Sequence, residues 1–143
     1  MKNLVLLGLI SLACVSPGHS ANRTVRCLSE PKSVKSALKQ SAAVFSGEVF
    51  EIKNGPNFKE VRFRVERSWK GVDAEEVSVL EVDSTAESPH YRLGERYLVF
   101  AALQNGKLFS GNCSRTKKIA DAEGDLQQLG QGRTQKSKRN QSI

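Results

Sequence analysis

Two cysteines, Cys27 and Cys113, bracket every stretch of this chain that patterns as β-strand. The third, Cys14, falls in an N-terminal segment expected to be removed. A bond joining the surviving pair would close almost the whole domain into one loop. By chain entropy such a crosslink is worth roughly 4–5 kcal/mol at most.

The N-terminus sets the expected compartment. Met1-Lys2 is a short basic start, and Leu4 to Ala13 is an apolar run. At about ten residues the run is too short to cross a bilayer of ~30 Å. Pro17-Gly18-His19-Ser20 ends it, with small residues at the two positions a signal peptidase reads. The reading is a signal peptide over residues 1–20, cut after Ser20, in a secreted or periplasmic protein. The alternative is a lipid anchor through Cys14, for which Leu is wanted three residues earlier; Ser11 stands there.

Residues 21–130 are expected to form one domain, and nothing after the signal is apolar for long enough to span a membrane. The net charge is +7, but Lys2 supplies one unit and Arg133, Lys136, Lys138 and Arg139 supply four, leaving +2 for residues 21–130. So mild a balance does not imply a nucleic-acid partner. Residues 131–143 carry a single apolar residue, Ile143, and read as a disordered basic tail. Such a tail is a solvated end or an electrostatic tether to an anionic surface.

Within the domain, Ser29-Glu30-Pro31 is expected to open a short helix with Val34, Ala37, Leu38 and Ser41 on one side. The period then changes to two. Ala43–Lys53 reads as a long strand with Phe45 and Val49 on one face and Val44, Phe50 and Ile52 on the other. Gly47 marks a bulge or bend in it. Asn54–Asn57 is a turn. Glu60–Trp69 places Val61, Phe63 and Val65 inward and Arg62, Arg64 and Glu66 outward. Glu76–Val82 is a third strand. Tyr97–Leu103 is apolar on both faces and so central. Asn105-Gly106 signals a hairpin. Leu108-Phe109 begins a fifth strand running into Cys113. Ile119, Ala122, Leu126 and Leu129 mark a second helix, closed by Gly130. Five strands, a bent first strand and a small helix at each end predict a mostly β protein, a closed five-stranded barrel of the oligonucleotide-binding type.

Catalytic chemistry is poorly represented. His90 is the single histidine after the signal, which leaves a zinc site incomplete. Glu81, Asp83 and Glu87 lack the spacing and the glycine of a calcium loop and read as a solvated strand end. Arg62 and Arg64 with Phe58 and Trp69 could make a basic stacking surface, but the aromatic residues fall mostly at core-patterned positions. Asn22, Asn112 and Asn140 each begin an Asn-x-Ser/Thr triplet and read as chance matches. No enzyme activity, cofactor or nucleic acid is expected, and the protein is expected to be a monomer.

An ordered series of segments resembles the N-terminal domain of the tissue inhibitors of metalloproteinases and the wider netrin-like module, above all its single-domain bacterial members. The series is Ala43-Val-Phe-Ser-Gly-Glu-Val49, Val61-Arg-Phe-Arg-Val65, Trp69-Lys-Gly71, Gly94-Glu-Arg-Tyr-Leu-Val-Phe-Ala101 and Cys113-Ser-Arg-Thr116. The resemblance spans about residues 25–130 and implies the same barrel. It also implies a Cys27–Cys113 disulfide. The family's second bridge is missing at both ends, because Val25 stands where the first cysteine of Cys-x-Cys would be and Ser88-Pro89-His90 contains none.

In the family, the amine and carbonyl of the first residue chelate a protease zinc and the next side chain enters the specificity pocket. The resemblance therefore assigns the protease contact to Val25, Arg26 and Cys27, and a zinc metalloprotease as partner. A cut after Ser20 leaves Ala21–Thr24 ahead of Val25, which then has no free amine. Inhibition would need a different geometry or a later cut. The alternative is a netrin-like interaction module that inhibits nothing, with another extracellular protein or an anionic surface as partner.

Overall fold

The computed structural model describes residues 33–82, 90–111 and 114–135. Its elements are α1 (Val34–Gln40), β1 (Ala43–Asn54), β2 (Phe58–Lys70), β3 (Glu76–Val82), β4 (Arg96–Gln104), β5 (Lys107–Ser110), β6 (Lys117–Lys118), a 3-10 turn at Ile119–Asp121, α2 (Glu123–Leu129) and β7 (Arg133–Thr134). The five long strands pair in the order β1-β2-β3-β5-β4, and β4 pairs again with β1. The sheet thus closes into the expected five-stranded barrel flanked by two short helices. Among the described strands only the β3–β5 contact is parallel. This strand order is compatible with the oligonucleotide-binding barrel. No helix among the described residues is long and apolar enough to cross a membrane.

The long first strand bends because its ladder with β2 slips three times, at Val44/Phe45, Ser46/Gly47 and Val49/Glu51. Each slip is a bulge, which sharpens the local twist and lets one strand serve two neighbours. Gly47 is required at the second. A Cβ there would lie 2.6 Å from the Arg64 carbonyl oxygen. The third slip corrects the expected face assignment. It leaves Phe50 unpaired and reverses the alternation, so Ile52 packs with Phe45 and Val49 inside the barrel rather than with Val44.

The core has two compartments. Inside the barrel, Phe45, Val61, Phe63, Val79, Tyr97 and Val99 are buried. Phe63 meets the Phe45 and Tyr91 rings edge-on at 5.4 and 5.2 Å, the arrangement that aromatic quadrupoles favour. Outside it, Val44, Leu98 and Phe100 pack with Val34 and Ala37 of α1, Ala122, and the α2 residues Leu126 and Leu129. β4 is apolar on both faces because one face fills the barrel and the other seats the helices.

The turns follow their local chemistry. Ser33 caps α1, its Oγ accepting from the Ser36 N–H at 3.1 Å. The expected opening at Ser29-Glu30-Pro31 lies outside the described residues. Lys70 Nζ donates to the Leu38 and Lys39 carbonyls at the other end of α1, at 3.0 and 3.2 Å. Gly71 has φ +70°, and a Cβ there would lie 2.1 Å from the Ala42 oxygen. Asn105 and Gly106, with φ 49° and 74°, form the expected hairpin.

Three boundaries differ from the expectations. β5 stops at Ser110, short of Cys113. The second helix is broken at Ala122, which has φ −107° and ψ 8° and is fully buried, so α2 begins only at Glu123. The ordered chain also extends past Gly130. Arg133 and Thr134 pair with Ser68 and Arg67 of β2, and the Gln135 N–H reaches the Glu66 oxygen. The cause is an edge. β3 pairs with β2 only as far as Arg64, so the rest of β2 offers open backbone groups that composition cannot reveal. Residues 136–143 lie outside the described part.

Candidate functional site

Val25, Arg26, Cys27 and Cys113, the residues to which the family resemblance assigns function, all lie outside the described residues, as does Cys14. The chain on either side of Cys113 is described. The Ser114 N–H donates to the Gly111 carbonyl at 3.0 Å.

Ser114, Arg115 and Thr116 are tied to their surroundings in three directions. Ser114 Oγ lies 3.4 Å from Ser110 Oγ at the end of β5, and accepts from the Thr116 N–H at 3.4 Å. Thr116 Oγ1 accepts from the Phe100 N–H of β4 at 3.0 Å and lies 3.3 Å from Ser110 Oγ. Arg115 grips Asp125 of α2 with two hydrogen bonds, at 3.1 and 2.8 Å. Lys117 Nζ adds a third contact to the same carboxylate at 3.2 Å. One four-residue segment therefore ties together β5, β4 and α2.

The brace continues into the barrel. Tyr91 donates its hydroxyl to Ser110 Oγ at 2.7 Å. Burial pushes this phenol far above its ordinary value, only partly opposed by the Ser110 hydrogen bond, and the neighbouring Glu81 charge adds to the rise. Glu81 sits beside Ser110 across the β3–β5 pairing and is buried. Tyr97 stacks edge-on against Tyr91 at 4.9 Å and donates to Glu95 at 3.0 Å. Tyr91, Ser110 and Asp125 carry no sequence signal for these roles. A buried hydroxyl cluster assembled from β5 and two loops has no spacing to read.

The other constellations are not assembled as a site. Glu81 lies buried inside the barrel instead of at a solvated strand end, while Asp83 and Glu87 lie outside the described residues. Among the described residues, no three His, Cys, Asp or Glu side chains cluster as a metal site. His90 is exposed. Trp69 is half-buried in the outer core and donates Nε1 to the Gly130 carbonyl at 3.0 Å. Arg62 and Arg64 instead lie over Phe50, with guanidinium carbons 4.9 and 5.3 Å from the ring centroid. The bulge that puts Phe50 there was not legible in the sequence.

Compared with protein-family models and with curated proteins, the chain matches none.

Proposed function

We infer that the protein is an exported binding domain of the metalloproteinase-inhibitor type, one that docks on a zinc endopeptidase. The supporting observation is the bracing of Ser114, Arg115 and Thr116. A competitive ligand for a protease cleft must arrive in a fixed shape, because ordering it on contact costs affinity. Here Ser114, Arg115 and Thr116 are held against two strands and a helix. With the Cys27–Cys113 bridge that the resemblance implies, this segment would anchor Val25-Arg26-Cys27.

The apolar cluster inside the barrel is built from aromatic and branched side chains, and docking is read as a property of the surface. A catalytic zinc keeps one open coordination position. A later cut that frees the Val25 amine would supply a ligand for it; without that cut, docking is by surface contact alone. The test is inhibition of a panel of zinc endopeptidases, read together with mass spectrometry of the mature N-terminus. A terminus at Val25 with inhibition supports chelation.

The second reading, a netrin-like interaction module, is favoured by Val25 standing where the family's first cysteine would be. A terminus at Ala21 with every protease left active supports that reading instead.

A further inference from the structure

Phe50 is the extra residue of a bulge, as the β1–β2 register passes from Val49–Phe63 directly to Glu51–Arg62. Its ring lies on the outer face beneath two guanidiniums, those of Arg62 and Arg64. The two arginines are not equivalent. Arg62 is spent on its neighbours, donating to Glu51 at 2.7 Å and to Glu76 at 2.8 Å. Lys53 likewise meets Glu51 at 3.4 Å, and Arg96 meets Glu66 at 2.6 Å. Arg64 is exposed and has no carboxylate within ion-pair distance among the described residues. Of the two guanidiniums over Phe50, it is the one left without a carboxylate among the described residues.

We propose that Arg64, backed by the Phe50 ring, is the anion-recognition residue of a protein-docking patch on the outer face of β1–β3, and that the partner presents a single carboxylate beside apolar atoms. Stacking on an aromatic face leaves the in-plane N–H donors of a guanidinium free for a two-pronged carboxylate contact. It also holds the side chain in place, so less freedom is lost on binding. Arginine and aromatic residues dominate the energetics of protein interfaces. Charge decides against a polymeric anion. Glu48 and Glu76 are the cross-strand partners of Arg64, and Glu51 is close by on Arg62. A chain of phosphates or sulfates would lay more negative charge beside these three acids, whereas one carboxylate need meet only Arg64. The patch is built from residues of β1–β3 alone, so its partner need not be a protease.

The test uses the full chain with 15N-labelled arginine and sodium benzoate as the probe, a carboxylate joined to an apolar ring. The Arg64 Nε–Hε resonance is expected to shift saturably at roughly millimolar benzoate, the affinity of a single contact. Benzyl alcohol, which lacks the charge, should leave it unmoved. Arg64→Gln should abolish the saturable response without moving the unfolding midpoint, and Arg64→Lys should weaken it several-fold. The proposal is overturned if Arg64 gives no saturable shift or if the response survives Arg64→Gln. It is equally overturned if octathymidylate shifts Arg64 at lower concentration than benzoate does.

Discussion

Arg115 donates Nε and Nη2 to the two carboxylate oxygens of Asp125, at 3.1 and 2.8 Å, and so fastens α2 to the segment 114–117. Burial alone would raise the Asp125 carboxyl. The hydrogen bonds from Arg115 and Lys117 outweigh it and hold the carboxyl below its ordinary value of 3.8. A carboxyl depressed in the folded state stabilises the fold above its unfolded-state value, and that contribution fades as pH falls through the folded-state value. Asp125→Asn is expected to cost about 2–3 kcal/mol at neutral pH, as for hydrogen bonds to a charged group. In urea unfolding followed against pH, the gap between the variant and the natural chain should narrow below about pH 4. A gap that stays constant down to pH 2 would contradict this account of the pair.

The tyrosines give a second, alkaline test. The chain has two, Tyr91 and Tyr97, and both are buried. Burial pushes the Tyr97 phenol up to about 12, with the Arg92 N–H partly opposing and Glu95 adding to the rise. A phenol raised in the folded state stabilises the fold below its unfolded-state value near 10, and the contribution is lost as pH climbs towards 12. Spectrophotometric titration should find almost no tyrosinate at pH 10 in the folded protein, and both rings titrating together with unfolding at higher pH. Half-ionisation of either ring near pH 10 without unfolding would contradict the described packing.

Ser68 makes an unusual prediction. It is 1% exposed, faces Phe45 across the ladder, and its Oγ has no hydrogen-bond partner. An orphaned buried hydroxyl opposes folding. Ser68→Ala is therefore expected to leave stability unchanged or raise it by up to about 1–2 kcal/mol in chemical denaturation. A loss of more than about 1 kcal/mol would mean the hydroxyl has a role in the fold.

Gly132 lies flat against Trp69, and a Cβ there would come within 2.8 Å of the indole. Gly132→Ala should lift residues 131–135 off β2 at a cost of about 1–3 kcal/mol, the usual range for overpacking. Trp69 is the chain's single tryptophan, so its emission should shift to the red. Faster hydrogen exchange at Arg67 and Ser68 would accompany the shift.

The barrel was legible because strict alternation in Val61-Arg-Phe-Arg-Val65 and an apolar run over Tyr97–Leu103 are strong local patterns. Asn105-Gly106 fixed a hairpin by backbone chemistry alone. What escaped was set by contacts between distant segments. The slip that turns Ile52 inward is decided by how β1 meets β2, and the ordering of residues 131–135 by a vacant edge on β2. The break at Ala122 comes from packing beneath the helices. The Cys113-Ser-Arg-Thr116 stretch drew notice as a family feature. Its bracing role emerges only when Ser110, Phe100 and Asp125 are brought beside it.

Incubating the purified full chain with a panel of zinc endopeptidases tests the central claim most directly. Inhibition of at least one member at micromolar concentration, reversed by excess substrate, is the expected result. Full activity of every member at that concentration would contradict docking on a zinc endopeptidase.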